Sequence, residues 1–591
     1  MRVRLLTTAL LAAGLLCGAL AVDAGAAFRH NPVIFVHGFS GSGAQFESQK
    51  MRFTSNGYPG SYISVLEYDS LFVTESRDDV YARLDQHIAD VKKQTGKAKV
   101  DLLGHSLGTT LMQEYLRSSP QRAANVAHYV NIDGRTADSP PGGVPTLAIW
   151  AGRGTPGRSI KGARNVTVPN QTHVQSATSA ESFVEMFKFF TGSAPATSAI
   201  VPEPRRVSIA GRALLFPQNR GLTATEVQVW PIDRSTGHRS SSRPAATASV
   251  RGDGGWGPIR VEAGRYYELT AVRPGVATLH YYYEPFLRSD HLVRLLYNDA
   301  VEAAVGRSER HVALLVLRYK ELWGDQGSQN DVLRLNGTSV CTAVICPIDK
   351  RVNAVFAYDR RLDGRTDLSE PDPIFSQLAF ITGVDVFMPA ARPPTGTVSV
   401  SLRSRGAGPV RTLRLPNFPS TTDGAVVQFN DFERPLASAD LGCIDGRGRA
   451  RGKRLGPARL GRSRSRQRRL LRGMRRLRTR RGMDRYCVAG GGSFRIGYRR
   501  SRAVLVLSSS PRFTVRGIRA GSSVRRLRRR LRGERRFRIG RNVWYLARGR
   551  AATLAFRARG RRVREAGIAA RSLTRGRRAS RRFVRRWELR R

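Results

Sequence analysis

Between Pro32 and Gly192 short apolar runs alternate with stretches of helical spacing, and this alternation restricts that part of the chain to βαβ units around a parallel sheet. Val33 to Val36, Tyr62 to Leu66, Val100 to Leu103, Val126 to Ile132 and Thr146 to Trp150 read as strands. Asp79 to Lys93 and Leu107 to Arg117 have helical periodicity, and Glu181 to Phe190 reads as a closing helix. The expected catalytic-type domain is therefore 27–192.

Residues 193–205, with Pro195, Pro202 and Pro204, have the composition of a linker, and the pattern changes after them. From Arg206 to Glu433, runs such as Glu226 to Trp230, Tyr266 to Val272 and Thr397 to Leu402 are separated by Gly, Pro and Asp, which predicts one or two antiparallel β domains over 206–433. Pro285 to Leu296 is the main candidate helix there. Charge sets a third region apart. The chain carries a net +55, and Ile444 to Arg591 hold 52 Lys and Arg against 5 Asp and Glu, so most of the excess belongs to one C-terminal module. Residues 434–484 read as a flexible basic linker and 485–591 as a small α+β module. Ala503 to Leu507, Val543 to Ala547 and Ala552 to Phe556 are strand-like, and Val524, Leu527 and Leu531 recur at helical spacing after the capping residues Ser522 and Ser523.

The first 26 residues combine Arg2 and Arg4, an apolar run from Leu5 to Val22 and the small-residue site Ala24-Gly25-Ala26, the pattern of a cleaved export signal, with an uncleaved anchor as the alternative. A secreted or surface-associated protein is the expectation. Loss of Cys17 with the signal leaves Cys341, Cys346, Cys443 and Cys487. Of the three pairings, Cys341 with Cys346 closes a tight loop and leaves Cys443 for Cys487; zinc is disfavoured because no histidine has ligand spacing to either pair.

Gly104-His-Ser-Leu-Gly108 sits after the strand Val100 to Leu103 and before the helix that starts at Leu107, the strand, sharp turn and helix context of a nucleophile elbow. Flanking glycines matter because backbones pass close together and the serine is forced into a strained conformation. A serine hydroxyl needs a histidine to take its proton and a carboxylate to hold that histidine in the right tautomer. Downstream, His128 lies inside a strand and reads as structural, whereas His173 lies in a loop before a helix and reads as the base. Glu114, Asp133 and Asp138 are the carboxylates between Ser106 and His173. Glu114 falls two turns into the helix after Ser106 and points away. Asp133 ends a strand at the carboxyl edge of the sheet and is assigned as the acid, with Asp138 in reserve. For the oxyanion, Leu107 supplies one N–H; the loop His37-Gly-Phe-Ser-Gly41 supplies another from Phe39, with Ser40 close behind. No metal or cofactor is required by this chemistry.

The runs Val36-His-Gly-Phe-Ser-Gly-Ser-Gly43, Gln45-Phe-Glu-Ser-Gln49, Asn56-Gly-Tyr-Pro59, Gly104 to Gly108 and Thr172-His-Val-Gln175 resemble a two-domain archaeal lipase. The likeness continues through Tyr281-Tyr-Tyr-Glu-Pro-Phe286, Val340-Cys-Thr-Ala-Val-Ile-Cys-Pro347 and Lys350-Arg-Val-Asn353, covering roughly Pro32 to Glu433. The resemblance implies an α/β-hydrolase domain followed by a β-rich domain that helps form the acyl-binding region, and a lipase or carboxylesterase with long-chain preference. It implies a triad of Ser106, Asp133 and His173 and an oxyanion pair of Phe39 and Leu107. The segment between Asp133 and His173 is shorter here than in that family, and the Arg-rich tail has no counterpart.

Tyr281, Tyr282, Tyr283 and Phe286 are candidates to line or support an acyl channel, with core packing as the alternative. The expected partner is a lipid or ester substrate. The tail reads either as a compositional consequence of G/C-rich arginine codons or as an anion-binding module for envelope polymers, acidic lipid headgroups or extracellular nucleic acid. No specific nucleic-acid motif is visible. The rivals to ester hydrolysis are an acyltransferase using the same triad and a surface-binding protein on a hydrolase scaffold.

Overall fold

The computed structural model describes residues 28–588 apart from 406–408, 433–443, 445–447, 472–473, 475, 478–481, 489–491 and 532, so the expected signal segment and Cys443 lie outside the described residues. Residues up to Glu433 form one compact unit and those from Arg434 a second.

In the first unit, β1 (Val33–Val36), α1 (Glu47–Ser55), β2 (Ile63–Leu66), α2 (Arg77–Thr95), β3 (Val100–His105), α3 (Leu107–Ser118), α4 (Pro120–Ala124), β4 (Val126–Ile132), β5 (Thr146–Ala151), β6 (Arg164–Val168), α5 (His173–Thr178) and α6 (Ala180–Thr191) follow in turn. The six strands form a parallel sheet in the order β2-β1-β3-β4-β5-β6. β1 is an apolar run, and every position of β1 and β3 is buried, because both faces of the sheet are covered. Val33 and Phe35 pack with α6 through Phe183 and Met186, while Ile34 and Val36 pack with α2 and α3 through Leu84, Leu111 and Tyr115. α2 begins in a capping box, in which Ser76 accepts from the Asp79 N–H and Asp79 accepts from the Ser76 N–H, and it stops at Gly96 with φ 68°. This is an α/β-hydrolase layer arrangement, and each strand end used by the site lies at the sheet's carboxyl edge.

The segment 193–205 has no regular structure but is strapped to α1: Arg52 and Asn56 donate to the Ser198 and Thr197 carbonyls at 3.2 and 2.8 Å. Beyond it lie β sheets. An eight-stranded sheet runs from Ala246–Ser249 to Ile381–Asp385, with antiparallel hairpins and three parallel pairings, and a four-stranded antiparallel sheet includes Thr397–Arg403 and Arg411–Pro416. The expected helix over Pro285 to Leu296 is instead the strand Asp290–Tyr297, parallel to Arg206–Leu215. Its apolar residues fall on both faces because both are buried: Val293 and Leu295 enter the β core, while Leu292 packs into the α/β core. Periodicity does not separate such a strand from a helix. Cys341 and Cys346 are disulfide-bonded.

The second unit holds an eight-stranded antiparallel sheet whose strand order has a hidden regularity. A helix, Arg464–Leu470, and the strands Ser493–Arg499 and Arg502–Ser508 recur sixty positions later as Val524–Arg530, Thr553–Arg559 and Arg562–Ala569. The same bridges recur, Ser463 with Arg502 and Ser523 with Arg562. The strands Arg502–Ser508 and Arg562–Ala569 pair at the centre, so the unit is two copies of one fold joined along one sheet. The expected basic linker over 434–484 is corrected within its described residues: Leu455, Ala458, Leu460 and Leu471 are buried in the same core as the sheet. Its few apolar residues are the ones that pack; the arginines between them hid the pattern.

Candidate active site

Ser106 stands between β3 and α3 with φ 54° and ψ −121°, a strained conformation for a residue with a side chain. The turn is possible because the residues two positions away on either side, Gly104 and Gly108, lack Cβ atoms. A Cβ on Gly108 would stand 2.5 Å from the His37 carbonyl oxygen, and one on Gly104 would stand 2.6 Å from the Gly108 oxygen. Gly38 brings the loop after β1 against the serine in the same way, since a Cβ there would lie 2.8 Å from Ser106 Cβ.

Asp133 follows β4 directly, and His173 opens α5. The Nδ1–H of His173 donates to Asp133 Oδ2 at 2.6 Å. Asp133 also accepts from the Ala151 N–H at 2.9 Å and from the Arg158 guanidinium. Burial pushes the Asp133 carboxyl up, but the His173 hydrogen bond, with the charge of His173, the Ala151 N–H and Arg158, holds it down at about 2. Asp133 is thus an anion, and it leaves Nε2 of His173 as the ring nitrogen without a partner among the described residues. Ser106 and His173 line one small cavity of about 30 Å³ together with Gly38, Phe39 and Gln45. No hydrogen bond joins the Ser106 hydroxyl to the imidazole, a looseness that unliganded sites commonly have.

Two N–H groups of the loop after β1 were alternatives in the sequence. That of Ser40 donates to Ser70 Oγ at 2.9 Å, whereas that of Phe39 has no protein acceptor among the described residues. Leu107, the first residue of α3, likewise has an N–H outside the helix ladder. Glu114 turns outward to Arg77, Tyr81 and Arg135, and His128 is held by the buried Asp101 at 2.8 Å. Asp138 is exposed and pairs with Lys161 at 2.9 Å, away from His173.

Other groups at the site had no signal in the sequence. His105 accepts from the Gln45 amide at 2.7 Å on Nδ1 and donates from Nε2 to the His173 carbonyl at 3.1 Å. Burial first, then the adjacent imidazole of His173, pushes His105 down to about 3, so it stays neutral. Asn219, from the β-rich part, donates to the Gly41 and Tyr68 carbonyls at 2.8 and 3.1 Å and so supports the loop of Phe39. A buried pair, Arg294 with Glu67 at 2.6 Å, backs the same loop, for Glu67 accepts from the Gly43 N–H at 3.0 Å.

Phe39, Ser40, Gly41, Tyr319, Asn353 and Phe380 belong both to the small cavity and to a second one of about 260 Å³, whose walls include Leu279, Tyr281, Leu314, Leu315, Phe356 and Val426. Its lining also takes in Phe39, Leu71 and Leu378, which are large apolar side chains exposed to solvent. Of the expected aromatic cluster only Tyr281 lines this cavity. Tyr282, Tyr283 and Phe286 pack into the β cores, and the Tyr283 hydroxyl donates to the Arg294 carbonyl at 2.8 Å.

Residues 30–126 match the family model of lipase, class 2; residues 205–300 match that of a lipase C-terminal domain, and 300–433 match a further C-terminal domain. Together these matches describe a two-domain lipase of α/β-hydrolase type. Among solved structures, lipase B of Aspergillus fumigatus is 13% identical, with 29% of this chain and 54% of that chain covered and a TM-score of 0.24. A cutinase-like protein from Cryptococcus sp. is 15% identical, with 29% and 98% covered and a TM-score of 0.23.

Proposed function

We propose that this protein is a secreted lipase or carboxylesterase that hydrolyses long-chain acyl esters through an acyl-enzyme on Ser106. The observation that carries the reading is the Asp133 to His173 hydrogen bond beside Ser106, in a cavity that continues into an apolar chamber. In the first half-reaction His173 Nε2 takes the Ser106 hydroxyl proton as Oγ attacks the ester carbonyl. The negative charge on the former carbonyl oxygen is met by the N–H groups of Phe39 and Leu107. Asp133 keeps the proton of His173 on Nδ1 and stabilises the imidazolium, which then protonates the departing alkoxide. Water repeats the sequence on the acyl-enzyme and releases the acid and the serine.

The apolar chamber gives the acyl chain a place to lie, and the exposed Phe39, Leu71 and Leu378 favour contact with a lipid surface. Secretion rests on the first 26 residues. A panel of p-nitrophenyl esters of rising chain length tests the proposal, with and without added alcohol. Turnover that rises with chain length and disappears in Ser106→Ala is expected. Product that goes mainly to an ester of the added alcohol would favour acyl transfer, and turnover that survives Ser106→Ala would end the reading.

The C-terminal unit supports a second role, docking to an anionic envelope polymer or membrane surface. Its described acids, Asp484, Glu534, Glu565 and Glu588, are all engaged in ion pairs with arginines of the same unit, and Ile444 to Arg591 hold 52 Lys and Arg against 5 Asp and Glu, so the segment keeps a large net positive charge.

A further inference from the structure

We infer that Glu321, contributed by the β-rich part of the first unit, is a positioning residue for the hydrolase site: its carboxylate fixes the turn that presents His173. The inference rests on the reading of His173 as the base. Glu321 lies in the loop after the strand Leu314–Leu317 and is only 1% exposed. One of its oxygens accepts from the Val174 N–H at 2.6 Å, and the other accepts from the Gln175 N–H at 3.0 Å and from the Thr172 hydroxyl. The donors lie on both sides of His173 in sequence, and all end on one carboxylate.

The carboxylate is itself held in place. The Glu321 carbonyl accepts from the guanidinium groups of Arg318 at 2.7 Å and Arg405 at 2.6 Å. Arg405 also donates to the Gln175 side chain at 2.6 Å and stacks on Trp323, 3.7 Å from the ring centroid. On the opposite side of the turn His105 and the Ser176 hydroxyl take the His173 carbonyl, at 3.1 and 2.8 Å. His173 is therefore fixed through its own carbonyl, through the N–H groups of the two following residues and, at its ring, by Asp133.

The chemistry of the contact separates positioning from simple adhesion. Burying a carboxylate is costly, and an apolar contact would join the two parts of the unit at lower desolvation cost. Only an acceptor with two oxygens serves two successive peptide N–H groups and a hydroxyl at once. Without it the Val174 and Gln175 N–H groups lose their acceptor, the Thr172 hydroxyl keeps only Gln175 Oε1 at 3.5 Å, and the turn shifts. A displacement of about 1 Å at a catalytic group costs on the order of 10²-fold in rate.

The test uses the full chain with Glu321→Ala and Glu321→Gln, assayed on p-nitrophenyl acetate below the thermal transition of each variant. The expected result is a kcat lower by about 10²-fold in Glu321→Ala with KM within about threefold, because the lost interaction acts on the transition state. Glu321→Gln keeps one acceptor oxygen and is expected to recover part of the loss. The rate at which an organophosphonate modifies Ser106 should fall in parallel, since that reaction also needs the His173 base. A kcat within about threefold of wild type in a folded Glu321→Ala, whatever its Tm, overturns the inference. Should the Ala variant not fold, Glu321→Gln decides, and full kcat there overturns it equally. Ser106→Ala is measured alongside: turnover surviving in that variant sinks the hydrolase reading itself, whereas a silent Ser106→Ala with an unaffected Glu321→Ala sinks the positioning role alone.

Discussion

Replacing Asp133 with Asn is the sharpest test of the acid, because the structure makes separate demands on activity and on stability. Asp133 accepts the Nδ1–H of His173 at 2.6 Å, and an amide nitrogen in its place donates instead. The imidazole then carries its proton on Nε2, the atom that must be empty to receive the serine proton. The expected loss in kcat is about 10⁴-fold, or roughly 5.4 kcal/mol. The stability effect follows from titration. The Asp133 carboxyl is lowered from 3.8 to about 2, and it is almost fully buried. At about 1.36 kcal/mol per pKa unit, the anion contributes on the order of 2 kcal/mol. Because the folded-state value is depressed, that contribution is present above 3.8 and is lost as pH falls through 3.8 towards about 2. Urea unfolding of wild type should show this acid loss, and the Asn variant should lack it. Asp138→Asn is the control: its side chain is 93% exposed and pairs with Lys161, so its kcat should stay at wild type. If Asp138→Asn loses activity while Asp133→Asn stays within about tenfold of wild type, the assignment of the acid is refuted.

Ser106→Ala and His173→Ala should each cost about 10⁴ to 10⁶ in kcat, and the double variant little more, because the two act as one unit; losses that multiply would contradict this. Gly108→Ala places a Cβ 2.5 Å from the His37 oxygen and should lower unfolding stability by about 1–3 kcal/mol or prevent folding, and an unchanged thermal transition would argue against the tight elbow. Leu315→Trp narrows the chamber and should depress hydrolysis of long-chain esters while sparing acetate; equal effects on both would remove the chamber from acyl binding. Deleting residues 434–591 should leave acetate hydrolysis near wild type, since the first unit is compact by itself, but should abolish binding to anionic vesicles at about 0.15 M salt. Vesicle binding that survives the deletion would transfer that role to the first unit.

The parallel sheet was legible because its code is local. β1 is the run Val-Ile-Phe-Val, apolar at every position, β3 and β4 are short and mostly apolar, and the elbow's glycines stand two positions either side of the serine they accommodate. Chain order then singled out His173 and Asp133, although both are distant from Ser106 in sequence. The sequence favoured Phe39 but left Ser40 close behind, since the difference turns on where the Ser40 N–H goes, and Ser70 is its acceptor. The strand Asp290–Tyr297 was misread because Leu292, Val293, Leu295 and Leu296 have a spacing that a helix also produces. The repeat in the C-terminal unit escaped for a different reason: its arginines swamp the apolar positions that mark each copy.

The residues that support the hydrolase site from the β-rich part were the least visible, and the physics of the carboxyl edge explains why they exist. A parallel sheet aims its catalytic loops outward, where their peptide groups have no strand to bond. The turn at His173 and the loop at Phe39 are such places. Glu321 satisfies the first, and Asn219, with Arg294 through Glu67, satisfies the second. The same β-rich part supplies Leu279, Leu315 and Val426 to the apolar chamber. Polar anchors and apolar wall therefore arrive from one part of the chain, so in the proposed reaction a shift of that part would move the His173 turn, the Phe39 loop and the apolar chamber together. In sequence each anchor is a single Glu, Asn or Arg among many. Its meaning lies in a partner more than a hundred positions away, which no local pattern encodes.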